Sequence, residues 1–218
     1  MRKIYYLLFA VLVMTACEKS NDGDSSGTLG GNTDVPMNDV GNIFSGTVLF
    51  GDSYFNVDGA VTESADGIIT VDIAGALPDD FPLASLIPAS YKDVSGNLDT
   101  EMKFKNTSAG ILDYTNSDGK PLVLVKYDCS VGDQYMLEKS DGNTITRTVT
   151  AKSSTDDYPY GFYLIKTITV EQDSRIPGVD KIIYNANHKF GLVGIEIMME
   201  DGTSSNIVLY STNLNVVE

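Results

Sequence analysis

The sequence predicts an all-β protein built mainly from antiparallel strands, because three features of the chain agree. From residue 43 onward, short apolar or alternating runs are separated by Gly, Asn, Asp and Ser, which form turns. Within several runs, apolar side chains recur at every second position, the period of a strand. Apart from short helical turns near residues 83–87, the mature chain has no segment with a helical period of normal length. We therefore predict a strongly curved antiparallel meander that forms a half-open barrel or a sandwich.

Residues 1–16 have the pattern of a secretory signal peptide. Arg2 and Lys3 form a basic start, residues 4–13 form an apolar run, and small residues follow. The run is roughly half as long as a helix that crosses a bilayer. A permanent transmembrane anchor is therefore not predicted here.

Residues 14–17, Met-Thr-Ala-Cys, resemble the lipobox of bacterial lipoproteins. In that motif the cysteine thiol receives a diacylglycerol, and the cysteine becomes the first residue of the mature protein. Chain burial at about 0.8 kcal/mol per methylene makes a multiply acylated anchor stable. We therefore predict that a lipid on Cys17 holds the protein at a membrane. The alternative is a conventional signal peptide in which Cys17 is incidental.

Residues 17–42 are predicted to be the lipidated cysteine followed by a flexible tether. The segment is rich in Ser, Gly, Asn and Asp and lacks aromatic residues, so it has little apolar surface to bury. Its acidic start, residues 18–24, resembles the export signal of surface-exposed Bacteroidetes lipoproteins. We expect the outer membrane, with the periplasmic face and the cell surface both left open.

The charge of the chain disfavours two classes of partner. The full chain has 15 basic and 30 acidic side chains, and loss of Arg2 and Lys3 leaves 15 − 2 = 13 basic ones and a formal charge of −17. Phosphate contacts need clustered Lys and Arg, so nucleic-acid binding is not expected. Adsorption to anionic lipid headgroups is disfavoured for the same reason.

Residues 43–218 are long enough for one β-rich domain, with two sub-halves, 43–127 and 128–218, as a further option. Residues 121–127 are apolar on both faces, which predicts a strand covered on both sides. The predicted strands are residues 44–50, 54–57, 68–73, 100–105, 110–114, 121–127, 134–139, 144–152, 162–171, 181–185, 190–200 and 205–212.

Residues 77–91 interrupt the strand pattern. Pro82 and Pro88 restrict any helix between them to a turn or two. The segment is unusually apolar for a loop, and two interpretations follow: a cover packed over the end of the sheet, or a gate beside a ligand cavity. The candidate gate residues are Phe81, Leu83, Leu86, Ile87 and Tyr91.

The residues that carry reactive chemistry are few. Once Cys17 is acylated, Cys129 is the only thiol, and its place after an apolar strand predicts a small buried side chain. His188 has polar neighbours in a predicted turn and lacks a nucleophile signature, which predicts a solvated histidine. We therefore predict no catalytic residue, no metal site and no cofactor.

Three tyrosines are candidate surface aromatics. Sugar-binding surfaces stack rings on Trp or Tyr, and Tyr158, Tyr160 and Tyr163 lie close together in the sequence. The other interpretation is that they are ordinary strand and turn residues of a sheet that favours aromatic side chains.

The C-terminal half resembles a recurring pattern in uncharacterised exported lipoproteins of the Bacteroidetes. The pattern is carried by residues 131–135 (VGDQY), 160–166 (YGFYLIK) and 183–194 (IYNANHKFGLVG). Proteins with this pattern are similar to the half-open barrels of lipid and lipoprotein carriers, so the resemblance implies a curled sheet around an apolar cavity. Gly191 and Gly194 suit such a sheet, because glycine in a strand permits a bulge. The polar residues 187–189 depart from the pattern, which more often has a proline-glycine turn there.

Together these features predict a non-enzymatic, lipid-anchored outer-membrane protein whose curved sheet holds a hydrophobic small molecule or lipid. The alternative is a surface module that binds a glycan or a partner protein in an uptake complex. An enzyme is the third option, and no pair of carboxylates in the sequence stands out to support it.

Overall fold

The computed structural model describes residues 27–211 and confirms the predicted all-β class. Twelve strands form one antiparallel sheet that is nearly closed into a barrel, and two more form a separate hairpin. The predicted signal peptide, Cys17 and the start of the tether lie outside the described residues. Within residues 27–211, no helical segment has the length and apolarity needed to span a bilayer.

The strands are β1 Ile43–Phe50, β2 Ser53–Ala65, β3 Ile68–Gly75, β4 Leu98–Thr107, β5 Gly110–Asp113, β6 Leu122–Lys126, β7 Gln134–Glu138, β8 Thr144–Lys152, β9 Tyr158–Tyr160, β10 Tyr163–Ile165, β11 Ile168–Asp173, β12 Val179–Asn187, β13 Gly191–Met199 and β14 Ser204–Ser211. Within residues 27–211, the helical segments are three short 3-10 turns, Pro36–Asn38, Ala84–Leu86 and Ala89–Tyr91. The prediction of short helical turns near residues 83–87 is therefore confirmed.

The strand order makes the predicted sub-halves parts of one sheet. The order is β6-β5-β4-β3-β2-β1-β14-β13-β12-β11-β8-β7, so most neighbours are also neighbours in sequence. The first and last strands join the two halves, with Val48 opposite Ile207. Antiparallel pairing of consecutive strands needs only short turns, which the Gly, Asn and Asp clusters supply.

The barrel closes where the short strand β6 packs against β7 and β11 at the other end of the sheet. Leu122, Val123, Leu124 and Val125 are all buried, which confirms that this strand is covered on both faces. We call the surrounding cluster the closure core; its members are Ile111, Leu112, Leu122, Val123, Leu124, Val125, Cys129, Tyr135, Leu137, Val149, Ile168, Val170 and Ala186.

A buried ion pair ties the two ends of the sheet together. The Arg147 guanidinium on β8 lies 2.5 Å from the Asp113 carboxylate on β5, and both side chains are buried. Arg147 also donates to the Gln172 amide oxygen at 2.8 Å and to the Val123 carbonyl at 3.4 Å. Because one guanidinium bonds groups from both ends, it fixes the closure of the barrel.

The predicted strand 162–171 is wrong as a single element. Gly161 has a φ of +59°, which turns the chain so that β9 and β10 form a hairpin outside the main sheet. Between β10 and β11, the Lys166 carbonyl accepts a 2.7 Å hydrogen bond from the Asn187 side chain. Because the Lys166 carbonyl bonds a side chain and not a neighbouring strand, the strand is interrupted here, although apolar residues continue to alternate along the sequence.

Residues 27–42 differ from the predicted tether because they contact the barrel. Met37 and Asn38 are buried. The Asn32 backbone N–H donates to the Ser108 hydroxyl at 2.9 Å, and the Ser108 backbone N–H donates to the Asn32 carbonyl at 2.8 Å. The Asn38 side-chain amide also bonds the Thr33 and Asn106 carbonyls, so hydrogen bonds attach this segment to the barrel although it has few apolar side chains. Of the predicted tether, residues 17–26 lie outside the described residues.

The glycines of β13 form the predicted irregularity. The register against β12 shifts between Asn185, which pairs with Gly194, and Ala186, which pairs with Leu192, so Val193 is the extra residue of a bulge. Gly191 has a φ of +73°, which a residue with a side chain rarely adopts.

Candidate functional site: the barrel cavity

The barrel contains a cavity of about 360 Å³, which meets the closure core at Ile111. Its wall consists of inward-facing aliphatic and aromatic side chains from β1 to β4 and from β12 to β14. Side chains just fill a barrel of about eight strands, and the interior widens as strands are added. Medium-sized residues such as Val57, Val71 and Ile195 therefore leave space in a wall of this many strands.

All five candidate gate residues line this cavity. Phe81 is 4% exposed, and its ring makes edge contacts with Phe55 and Phe50 at centroid distances of 5.0 and 6.5 Å. The other four are half-buried. The structure thus places residues 77–91, which we call the lid, across one end of the cavity, while their action as a gate stays a prediction.

The lid is held by polar contacts at its C-terminal base. The Lys92 ammonium donates to the Ala84 carbonyl at 2.7 Å. The Asp93 carboxylate accepts from the backbone N–H groups of Asn97 and Ser95, both at 2.8 Å. The bonds from the Asn97 backbone and side chain, followed by the one from Ser95, lower the pKa of Asp93. These contacts fix the C-terminal base of the lid and tie it to Ala84 in the middle of the lid.

The cavity reaches the surface beside the lid. Two of its lining residues are exposed at this end, Pro88 on the lid and Ile176 on the loop between β11 and β12, with Ile176 46% exposed. Both segments lie at the end of the barrel where β3 ends and β12 begins. We call this exposed end of the cavity the mouth.

The opposite end is closed by residues that the sequence analysis did not identify. Met37 is buried and lines the cavity, and a Cβ atom on Gly191 would lie 2.6 Å from its sulfur. Next to it, the Asn38 amide donates to the Asn106 carbonyl at 2.9 Å, and the Asn106 amide donates to the Asn38 side-chain oxygen at 3.1 Å. We call Met37, Asn38 and Asn106 the plug. The only sequence signal for it is that Met37 is a single large apolar residue in a polar segment.

The polar groups around the cavity already have partners. Ser205 donates to the Leu49 carbonyl at 2.9 Å, and Asn106 is paired with Asn38. Ser45 and Asp58 face each other across β1 and β2 on the outer face, by alternation with the inward residues Gly46 and Val57. The interior therefore presents an apolar surface to anything it holds.

The three candidate surface tyrosines do not form one exposed patch. Tyr160 is 7% exposed and lies against Phe190 and Tyr210 at centroid distances of 4.8 and 5.0 Å, so the surface prediction is wrong for Tyr160. Tyr158 is half-buried against Gly194, where a Cβ atom would lie 2.3 Å from the tyrosine oxygen. Tyr163 is 72% exposed.

The tip of the β9–β10 hairpin is nevertheless apolar and exposed. Phe162 is fully exposed, and Leu164 is exposed beside Tyr163. The inner side of the hairpin, Tyr160 and Ile165, packs on Val193 of the main sheet. One side of the hairpin therefore anchors it and the other side faces solvent.

Cys129 and His188 lie where the sequence predicts. Cys129 is buried in the closure core, and burial raises the pKa of its thiol. His188 is exposed in the turn between β12 and β13. In the part of the chain that the structure describes, no group of three His, Cys, Asp or Glu side chains is arranged to hold a metal ion.

Comparison with known proteins finds no family model that matches this chain and no curated protein that matches it.

Proposed function

We propose that this protein is a lipid-anchored outer-membrane protein that binds a hydrophobic small molecule or lipid in the barrel cavity, without catalysing a reaction. The observation that carries the proposal is the apolar cavity of about 360 Å³ beneath the lid. Small-molecule sites have volumes of roughly 300–1,000 Å³ and are mostly apolar. The lipid on Cys17 and the outer-membrane location belong to the proposal and rest on the sequence alone.

An empty apolar cavity is energetically unfavourable, which favours binding of an apolar ligand. A cavity lined by aliphatic side chains offers water few hydrogen bonds, so it stays dry and accepts apolar ligands. Its lining atoms lack contacts on one side, and a ligand supplies them. Burial of apolar ligand surface adds about 25 cal/mol per Å². A hydrocarbon chain thus gains from both terms, whereas a polar molecule loses hydrogen bonds with water.

The test uses the full chain carrying Cys17→Ser, which lacks the thiol of the predicted lipidation site, and the neutral fluorescent probe N-phenyl-1-naphthylamine. We expect saturable fluorescence enhancement. The matched variant adds Val71→Phe, whose ring narrows the cavity from its wall, and it should weaken probe binding while the protein stays folded by circular dichroism. Absence of saturable probe binding to the Cys17→Ser chain with Val71 unchanged would contradict the proposal.

The second candidate function is a surface module for a glycan or a partner protein. The exposed hairpin tip, Phe162, Tyr163 and Leu164, favours it. It predicts retardation in a polysaccharide-containing gel that is lost in Phe162→Ser/Tyr163→Ser and kept in Val71→Phe. The reverse dependence would reject this second function.

A further inference from the structure

The cavity that we propose as a ligand site has no counter-ion for a charged ligand. In the described chain, no lysine, arginine or histidine contributes to its lining. The one acidic lining residue, Asp58, is exposed on the outer face of β2. A carboxylate or phosphate taken into this interior would therefore lose its hydration without gaining a paired charge.

The surroundings of the mouth are acidic. Residues 76–97 and 173–181 together carry five acidic and three basic side chains. The acidic residues are Asp79, Asp80, Asp93, Asp173 and Asp180. The chain as a whole also has a net negative charge of −15. An anion approaching the mouth is therefore repelled by the local charges and by the field of the whole protein.

The three bases near the mouth are each engaged by protein groups. Lys92 donates to the Ala84 carbonyl at 2.7 Å, and Arg175 donates to the Asn143 amide oxygen at 2.8 Å. Lys181 pairs with the Glu171 carboxylate at 2.8 Å, and the bond raises the pKa of Lys181. A ligand headgroup would have to replace these contacts to reach a cation.

We infer that the cavity selects uncharged, hydrocarbon-rich molecules, such as long-chain alcohols, esters or isoprenoids, over fatty acids of the same length. This inference rests on the proposed function, because it names the chemical class of ligand for the same cavity. The selection comes from the missing counter-ion inside and the negative potential outside. A neutral hydroxyl or ester meets neither penalty when it stays at the mouth, in contact with water.

The experiment measures displacement of N-phenyl-1-naphthylamine from the Cys17→Ser chain by hexadecanol and by hexadecanoate, each below its aggregation limit. Near pH 8 we expect hexadecanol to bind at least about tenfold more tightly. Near pH 5, where more of the acid is neutral, the difference should shrink.

A charge placed at the mouth sharpens the test. Ile176→Lys puts an ammonium at an exposed position of the mouth, and it should raise the affinity for hexadecanoate relative to that for hexadecanol. Val94→Lys is the matched control, because Val94 is fully exposed and is not part of the lining. The control should leave the selectivity near that of the parent.

The outcomes separate the two proposals. If hexadecanoate binds as tightly as hexadecanol near pH 8, the inference about charge is wrong and the proposed cavity function stands. If the probe binds and hexadecanol fails to displace it, the inference is also wrong. If the probe itself does not bind, the proposed function fails and the inference fails with it.

Discussion

The two sides of this barrel are built from similar strands, but the interior is filled with side chains on one side and hollow on the other. On one side, the closure core is filled with side chains, and Arg147 and Asp113 pair within it. On the other side, the walls from β1 to β4 and β12 to β14 leave a cavity of about 360 Å³. Apolar side chains dominate the inner surface on both sides, so hydrophobicity alone does not decide which side is filled.

The difference lies in how closely opposite walls approach. At the closure, β6 presses against β7 and β11, and one arginine reaches groups from both ends of the sheet. Across the cavity, the gap is bridged at one end by the lid and at the other by Met37. This barrel is thus hollow where the lid and Met37 cover its ends, and it is filled where the first and last strands of the sheet pack together.

Breaking the ion pair between Arg147 and Asp113 should have the largest effect. Arg147→Ala leaves Asp113 buried without its partner, which we expect to lower the free energy of unfolding by about 3–5 kcal/mol. Urea denaturation followed by circular dichroism measures it. The double variant Arg147→Met/Asp113→Leu removes both charges and should recover much of the loss. Equal instability of the single and double variants would show that the pairing is not the cause.

Removing the lid anchor should have a smaller and local effect. Phe81→Ala deletes the ring that packs on Phe55 and Phe50, and we expect the lid to lose about 3 kcal/mol of docking free energy. Hydrogen exchange should accelerate in residues 77–91 and stay slow in the closure core. Ser85→Ala, at an exposed position of the lid, is the control. Uniform acceleration across the barrel would contradict a locally docked lid.

Replacing a valine by phenylalanine should change the free energy of unfolding differently in the closure core and in the cavity wall. Val125→Phe in the closure core has no space for the ring and should cost about 1–3 kcal/mol. Val71→Phe points into the cavity and should leave the free energy of unfolding unchanged or raise it. Thermal unfolding of both variants provides the comparison. Similar destabilisation by the two would mean that the cavity is not available to side chains.

Alkaline pH should weaken the closure side. Burial raises the pKa of Tyr127 and of Tyr135, so their neutral forms are favoured in the folded protein. This stability is present below the ordinary tyrosine pKa near 10 and is lost as the pH rises above it, by about 1.4 kcal/mol per pH unit for each group.

The pH effect is measured as the urea midpoint near pH 8 and near pH 11. Tyr135→Phe should reduce the loss, whereas Tyr163→Phe, on the exposed hairpin tip, should not. If Tyr135→Phe loses as much stability as the parent at high pH, the titration lies elsewhere.

The sequence by itself determined the fold class, most strands and the exceptional lid. Turn residues and two-residue periodicity are local properties, so β1, β3 and the hairpin of β13 and β14 follow from them. Pro82 and Pro88 exclude a long helix regardless of context. The apolar content of the lid also marked residues that line the cavity.

Tertiary structure decided what depends on residues far apart in the chain. The pairing of β1 with β14, the Arg147–Asp113 ion pair and the Asn38–Asn106 plug join positions separated by dozens of residues, and no local pattern encodes them. The division of residues 162–171 depends on Asn187, which bonds the intervening backbone. Whether the interior is filled depends on the number of strands and the distance between walls, and those arise only when the sheet closes.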